Sequence, residues 1–190
     1  LWPGTTLLNE TFTFDNLQTT QRQRHFGIVH LATHGEFLPG DAANSYIQLW
    51  QQKLRLDQIP QLGWADPLVD LVVLSACRLA LGSEEAELGF AGMAVQSGAK
   101  SVLASLWNVD DAGTMGLMLE FYQQLQSAPI KAEAVRQAQL QLLKQEVGLR
   151  DGQVTWSGGT AELPPALLST YRHLDHPYFW AAFTLVGNPW

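Results

Sequence analysis

The chain has 190 residues, enough for one domain with a sizeable buried core. A net charge of −7 leaves no basic stripe to meet phosphates, which excludes nucleic acid as a partner. No apolar run approaches the roughly 20 residues that span a bilayer, so no membrane association is expected.

A lone cysteine rules out an internal disulfide, and no signal peptide is visible. Both point to a reducing, cytoplasmic setting. Charged residues make up 15%, well below the roughly 25% of ordinary soluble domains, and there are seven tryptophans. Such a surface is expected to be covered in part by more of the same polypeptide or by a partner. The first residue is Leu1, so the chain reads as a piece of a longer protein.

In chain order, Pro3-Gly4 is a turn signal and Thr5-Thr6-Leu7-Leu8 reads as an edge strand. A short polar helix is expected from Asp15 through Arg24. Residues 26–33, Phe-Gly-Ile-Val-His-Leu-Ala-Thr, form an apolar, β-branched run that ends at His34-Gly35-Glu36. Turn-rich residues 36–46 read as a surface loop. Tyr46 to Trp50 alternates like a short strand or hairpin arm, and Leu54 to Gln61 reads as a short helix closed by Gly63.

Residues 68–77 are a second apolar run, Leu-Val-Asp-Leu-Val-Val-Leu-Ser-Ala-Cys, ending in the only cysteine. Near-continuous hydrophobicity marks a strand of a parallel sheet covered on both faces. Beyond Cys77 a polar stretch leads to a helix over 87–97, with Leu88, Ala91 and Val95 inward and Gly98 as its stop. Residues 101–107 are a third buried strand. The next helix starts at Asn108-Val109-Asp110-Asp111 and places Met115, Met118, Leu119, Tyr122 and Leu125 on one face. Another covers 131–147 with Val135, Ala138, Leu142 and Leu143 inward. Glycines and prolines mark 148–166 as a long loop, and Tyr178 to Val186 reads as an aromatic-rich last strand.

Alternating strands and helices predict an α/β fold with a mostly parallel sheet. In such sheets ligands bind outside the carboxyl ends of the strands. His34 and Cys77, 43 positions apart, end the first two strands, which leaves room for a crossover. A thiol beside an imidazole is a nucleophile with its base. Gly35 directly after the histidine allows close backbone approach, so the Gly35 and Cys77 amides are expected to form an oxyanion hole.

The plainer readings make Cys77 a small core residue and His34 a loop histidine capping the strand. A metal site is the other rival, because His30 and His34 show His-x-x-x-His spacing. In a strand, four steps of about 3.3 Å put the rings roughly 13 Å apart, too far to share one ion. No metal is therefore expected, and His30 is read as core-facing. Asp110 and Asp111 read either as helix N-caps or as the lining of a pocket for a basic side chain.

The stretches His30-Leu31-Ala32-Thr33-His34-Gly35, Val72-Val73-Leu74-Ser75-Ala76-Cys77, Ser105-Leu106-Trp107-Asn108-Val109-Asp110-Asp111 and His176-Pro177-Tyr178-Phe179-Trp180-Ala181-Ala182-Phe183 resemble a CHAT domain, in the right order and over nearly the whole chain. The resemblance implies a caspase-like three-layer sandwich of clan CD, with helices on both faces of the sheet and an N-terminal part of the domain missing. Residues 1–190 are then a single domain, the C-terminal catalytic part of a longer protein.

It further implies a caspase/separase-type cysteine endopeptidase with a His34–Cys77 dyad and no cofactor. Tryptophan before an acidic turn also resembles separase, which makes Asp111, then Asp110, candidates for binding arginine or lysine at P1. Ser75 stands where caspases carry a glutamine that helps bind aspartate, so aspartate specificity is not expected. Arg78-Leu79-Ala80 replaces the common Glu-Thr-Gly after the nucleophile.

The expected partner is a protein or peptide substrate, with gating by an N-terminal region or a helical-repeat partner. The alternatives are a scaffold domain whose dyad goes unused, and a small-molecule α/β enzyme using Cys77 for other acyl transfer.

Overall fold

The computed structural model describes residues 2–36, 45–75, 89–167 and 173–190. It is α/β, with a mixed, mostly parallel central sheet and helices, consistent with a caspase-like sandwich. Two compact units divide it: residues 2–108 with 185–188, and residues 109–184 with 189–190.

In the first unit, residues 2–8 form no regular element, so the expected edge strand at Thr5–Leu8 is absent. A 3₁₀ turn (Asn9–Thr11) takes its place. Helix α1 (Phe14–Gln23) follows, with the Thr13 side chain accepting from the Asn16 N–H as its cap. Strands β1 (Ile28–Leu31) and β5 (Leu71–Leu74) are parallel neighbours, as expected. The chain between them is not a helical crossover in its described part. It forms an antiparallel sheet of β2 (Gly35–Glu36), β3 (Tyr46–Leu49) and β4 (Gln52–Arg55), then a 3₁₀ helix (Leu56–Leu62) closed by Gly63. The helix expected from Leu54 therefore starts two residues late, because Leu54 is the buried residue of β4.

Helix α2 (Gly89–Gln96) and strand β6 (Ser101–Ser105) come next, with β6 parallel to β5. Residues 37–44 and 76–88 lie outside the described residues, and with them most of the loop expected at 36–46 and the start of the helix expected at 87. The last strand, β10 (Phe183–Gly187), completes the order β1-β5-β6-β10. The Asn188 N–H donates to the Lys100 carbonyl at 2.8 Å, so β10 ends where β6 begins and the two run in opposite directions.

One face of this sheet explains the apolar runs. Leu31, Val72, Leu74, Val102 and Ala104 pack with Phe90, Ala91 and Ala94 of α2, and with Ile59, Leu62 and Trp64. Burying such side chains stabilises by roughly 1.5–3 kcal/mol each before entropy is counted. Of α2's expected inward residues, Ala91 is buried and Val95 only partly so, while Leu88 lies outside the described residues.

In the second unit, α3 (Asp111–Leu125) and α4 (Lys131–Leu143) are followed by an antiparallel meander of β7 (Gly148–Arg150), β8 (Gln153–Trp156) and β9 (Gly159–Glu162). The long loop expected over 148–166 is thus mostly sheet. Asp151 and Gly152, both at positive φ (50° and 76°), form a two-residue hairpin turn whose twist suits the strands.

The inward face of α3 also differs from expectation. Ala112, Gly113, Gly116, Leu117, Met118, Glu120 and Phe121 are buried; of the expected set only Met118 is. A Cβ on Gly113 would come within 2.8 Å of Phe179, and one on Gly116 within 3.1 Å of Leu174. The helix turns its small residues inward because its neighbours pack directly on its backbone. Glu120 is fully buried and fully matched: it accepts from the Ser157 N–H (2.9 Å), the Ser157 hydroxyl (2.9 Å) and Gln124 Nε2 (2.6 Å).

Helix α4 ends at Leu143, short of the expected 147; Ala134, Val135, Ala138 and Leu142 face inward and Leu143 is exposed. Strand β10 likewise starts later than expected, after a 3₁₀ turn (Pro177–Phe179) that His176 caps through Nδ1. Among the described residues no helix is long and apolar enough to cross a membrane.

Candidate functional site

The register of the two parallel strands is the starting point. Leu31 of β1 lies opposite Leu74 of β5. His34 is three residues beyond Leu31, and Cys77 is three residues beyond Leu74. In sequence, His34 and Cys77 thus stand equally far from two paired strand-end residues, and His34 follows β1 at the edge where α/β sheets bind ligands. Cys77 itself lies outside the described residues, and so do Arg78, Leu79 and Ala80.

His34 is exposed, and its backbone is held from both sides. The Gln48 N–H donates to the His34 carbonyl at 2.7 Å, and the Thr33 hydroxyl donates to the Gln48 carbonyl at 2.7 Å. Gln48 in turn spends its side-chain amide on the Leu49 and Gln52 carbonyls, which fixes the β3–β4 turn. No pattern in the sequence marked Thr33 and Gln48 for this duty, since both bonds run through backbone carbonyls.

The β2–β3 ladder also orients Gly35. Its register is Gly35 opposite Ile47 and Glu36 opposite Tyr46, which continues to His34 opposite Gln48. Antiparallel pairs alternate between bonded and non-bonded. The His34–Gln48 pair is bonded, so the Gly35–Ile47 pair is not. The Gly35 N–H therefore points away from β3.

His30 lies in β1, as the strand reading requires, so it shares no helical face with His34. It is not core-facing, however. β1 is the edge strand of its sheet, and the His30 residue is exposed. Its Nε2 is 2.8 Å from Ser75 Oγ, a diagonal cross-strand contact on one sheet face, since His30 pairs with Val73. Although part of the residue is open to water, enough protein surrounds the ring that desolvation lowers its pKa from 6.5 to about 4.

An imidazole with that depressed pKa opposes folding in acid. Below about pH 6.5 the unfolded chain binds a proton there that the folded chain refuses until about pH 4, so this contribution to stability is lost as pH falls through that window. The expected result is that His30→Gln loses less thermal stability than the parent chain between pH 7 and 5. Melting temperatures followed across that range check this; parallel curves for the two proteins would disprove it.

Asp110 and Asp111 open the second unit. Asp110 is the N-cap of α3, with Oδ1 accepting from the Gly113 N–H at 2.9 Å. Asp111 is the first helical residue and is exposed. Both carboxylates also suit the positive end of the helix dipole. Among the described residues no three His, Cys, Asp or Glu side chains gather as metal ligands.

No curated protein matches the chain. The family model for the CHAT domain matches residues 1–188. With a match over essentially its whole length, the chain belongs to the CHAT domain family, a caspase-like family related to cysteine peptidases.

Proposed function

We propose that the chain is a cysteine endopeptidase that cuts after arginine or lysine, with His34 and Cys77 as its dyad. The observation that supports this reading is the register of β1 and β5, in which the paired Leu31 and Leu74 each precede their dyad residue by three positions in sequence. The Cys77 sulfur attacks the scissile carbonyl carbon while His34 holds the thiol proton. Negative charge collects on the carbonyl oxygen, where the Gly35 and Cys77 N–H groups donate to it. The outward-facing Gly35 N–H supports that role. His34 then protonates the leaving amine, the C–N bond breaks, and water hydrolyses the acyl-enzyme.

Asp111 is assigned to the basic P1 side chain and Asp110 to supporting it, each an anion beside a substrate cation. Asp110 spends one oxygen on its cap. Gating by a further N-terminal region or a helical-repeat partner fits the exposed Trp2, Leu8, Trp50 and Leu68 of the first unit.

A peptide chloromethylketone with arginine at P1 is expected to label the chain at Cys77, and Asp111→Asn to slow that labelling about tenfold or more, a loss of one charge-assisted contact. Labelling that survives Cys77→Ala refutes the dyad. Cleavage of a peptide library with no preference for basic P1 refutes the role of Asp111. Absence of turnover both alone and with the missing partner favours the scaffold reading.

A further inference from the structure

The proposed chemistry leaves His30 and Ser75 without a task. They are adjacent in space, with Nε2 and Oγ 2.8 Å apart, although 45 positions separate them in the chain. Each precedes a dyad residue closely: His30 by four positions, Ser75 by two. The backbone ladder also reaches one residue past β5, where the Ser75 N–H donates to the Leu31 carbonyl at 3.2 Å. The side-chain contact adds a second link between β1 and the residue that follows β5.

We propose that His30 is a positioning residue: through Ser75 Oγ it locks the end of β5 against β1, and so sets where the tail bearing the nucleophile leaves relative to the tail bearing His34. This rests on the dyad proposed above. A neutral imidazole suits the task, since it can donate to or accept from a hydroxyl without a counterion, and the lowered pKa of the ring keeps it neutral at pH 7. Its cross-strand partner Val73 is fully buried, so the β5 backbone beneath the contact is firmly held.

The test uses the full chain carrying His30→Leu, Ser75→Ala, both together, and His30→Gln. Misplacing a reacting group by a fraction of an ångström costs on the order of ten- to a hundredfold. Each single loss is expected to lower kcat by about tenfold or more on a P1-arginine peptide, with KM little changed. The double variant should be no worse than the poorer single, because the two residues act as one contact. His30→Gln keeps a polar group at the right reach and should recover most of kcat.

Because the chain has one cysteine, the rate of its alkylation by iodoacetamide reports on Cys77 without any peptidase assay. His30→Leu and Ser75→Ala should change that rate alike across pH, with the melting temperature at pH 7 unchanged. Independent, multiplying effects, a change in KM alone, or an alkylation profile that neither substitution moves would overturn the proposal. Coupled alkylation effects in a chain that cleaves no peptide would instead overturn the peptidase reading and leave this one standing.

Discussion

Cys77→Ala is expected to remove turnover of a P1-arginine peptide altogether, and His34→Ala to lower kcat by at least about 10³-fold with KM little altered. In enzymes where a nucleophile and its base act as a unit, removing either costs nearly as much as removing both. A free thiol has a pKa near 8.5 and is only a few per cent thiolate at pH 7. Losing the imidazole therefore removes the means of forming the nucleophile as well as the acid that protonates the leaving amine. His34 is exposed, so its replacement leaves the core untouched and the loss reads as chemistry rather than unfolding. Initial rates on a fluorogenic peptide, with circular dichroism as the folding check, decide the matter. Turnover by Cys77→Ala within tenfold of the parent would mean that another group does the work.

Gly98→Ala is expected to be a strongly destabilising substitution in the first unit. Gly98 follows α2 at φ +103°, a conformation that costs an L-residue about 1–2 kcal/mol. Its N–H closes the helix on the Val95 carbonyl at 3.0 Å, and the Ala99 N–H does so on the Ala94 carbonyl at 3.1 Å, so the turn cannot relax without losing both. An added Cβ would also lie 2.6 Å from Ala65 Cα and 2.7 Å from Ala65 N. Those are backbone atoms, which yield only by shifting the chain, at roughly 1–3 kcal/mol more. The sum, about 2–5 kcal/mol, is a large share of the 5–15 kcal/mol that holds a typical domain together. Urea titration measures it, with Gly4→Ala as the control because nothing lies within 4 Å of a Cβ there. A loss below about 1 kcal/mol for Gly98→Ala would contradict the packing described.

The parallel core was legible because β5 and β6 are buried on both faces and spell nearly unbroken apolar runs; β1, β5 and β6 all lie within the expected stretches. The cap of α3 was legible too, since aspartate at a helix start is an expected N-cap. What misled was chemistry that hydrophobic counting ignores. In α3 the face that packs sets two glycines, an alanine and a satisfied glutamate beside Leu117, Met118 and Phe121, while the rest of the expected methionine-and-tyrosine stripe is half-buried. In the meander, glycines that read as loop are hairpin turns, and Asp151-Gly152 is itself a hairpin signal that the glycine count obscured. Apolar neighbours make His30 read as a core residue, but among the described residues β1 ends the order of its sheet and His30 is exposed. At the candidate site the grip of Thr33 and Gln48 on His34 was not legible, because a ladder register leaves no trace in composition.

Glu120 ties a helix to a hairpin that begins more than twenty positions later, and it does so inside the protein, where a carboxylate deprived of donors is costly. The Ser157 amide should then exchange its hydrogen for deuterium only when α3 and β8 open together, although it sits in a turn of the kind that ordinarily exchanges within seconds. Anyone grafting this hairpin into a relative would have to carry Glu120 and Gln124 with it, or replace Ser157 at the same time.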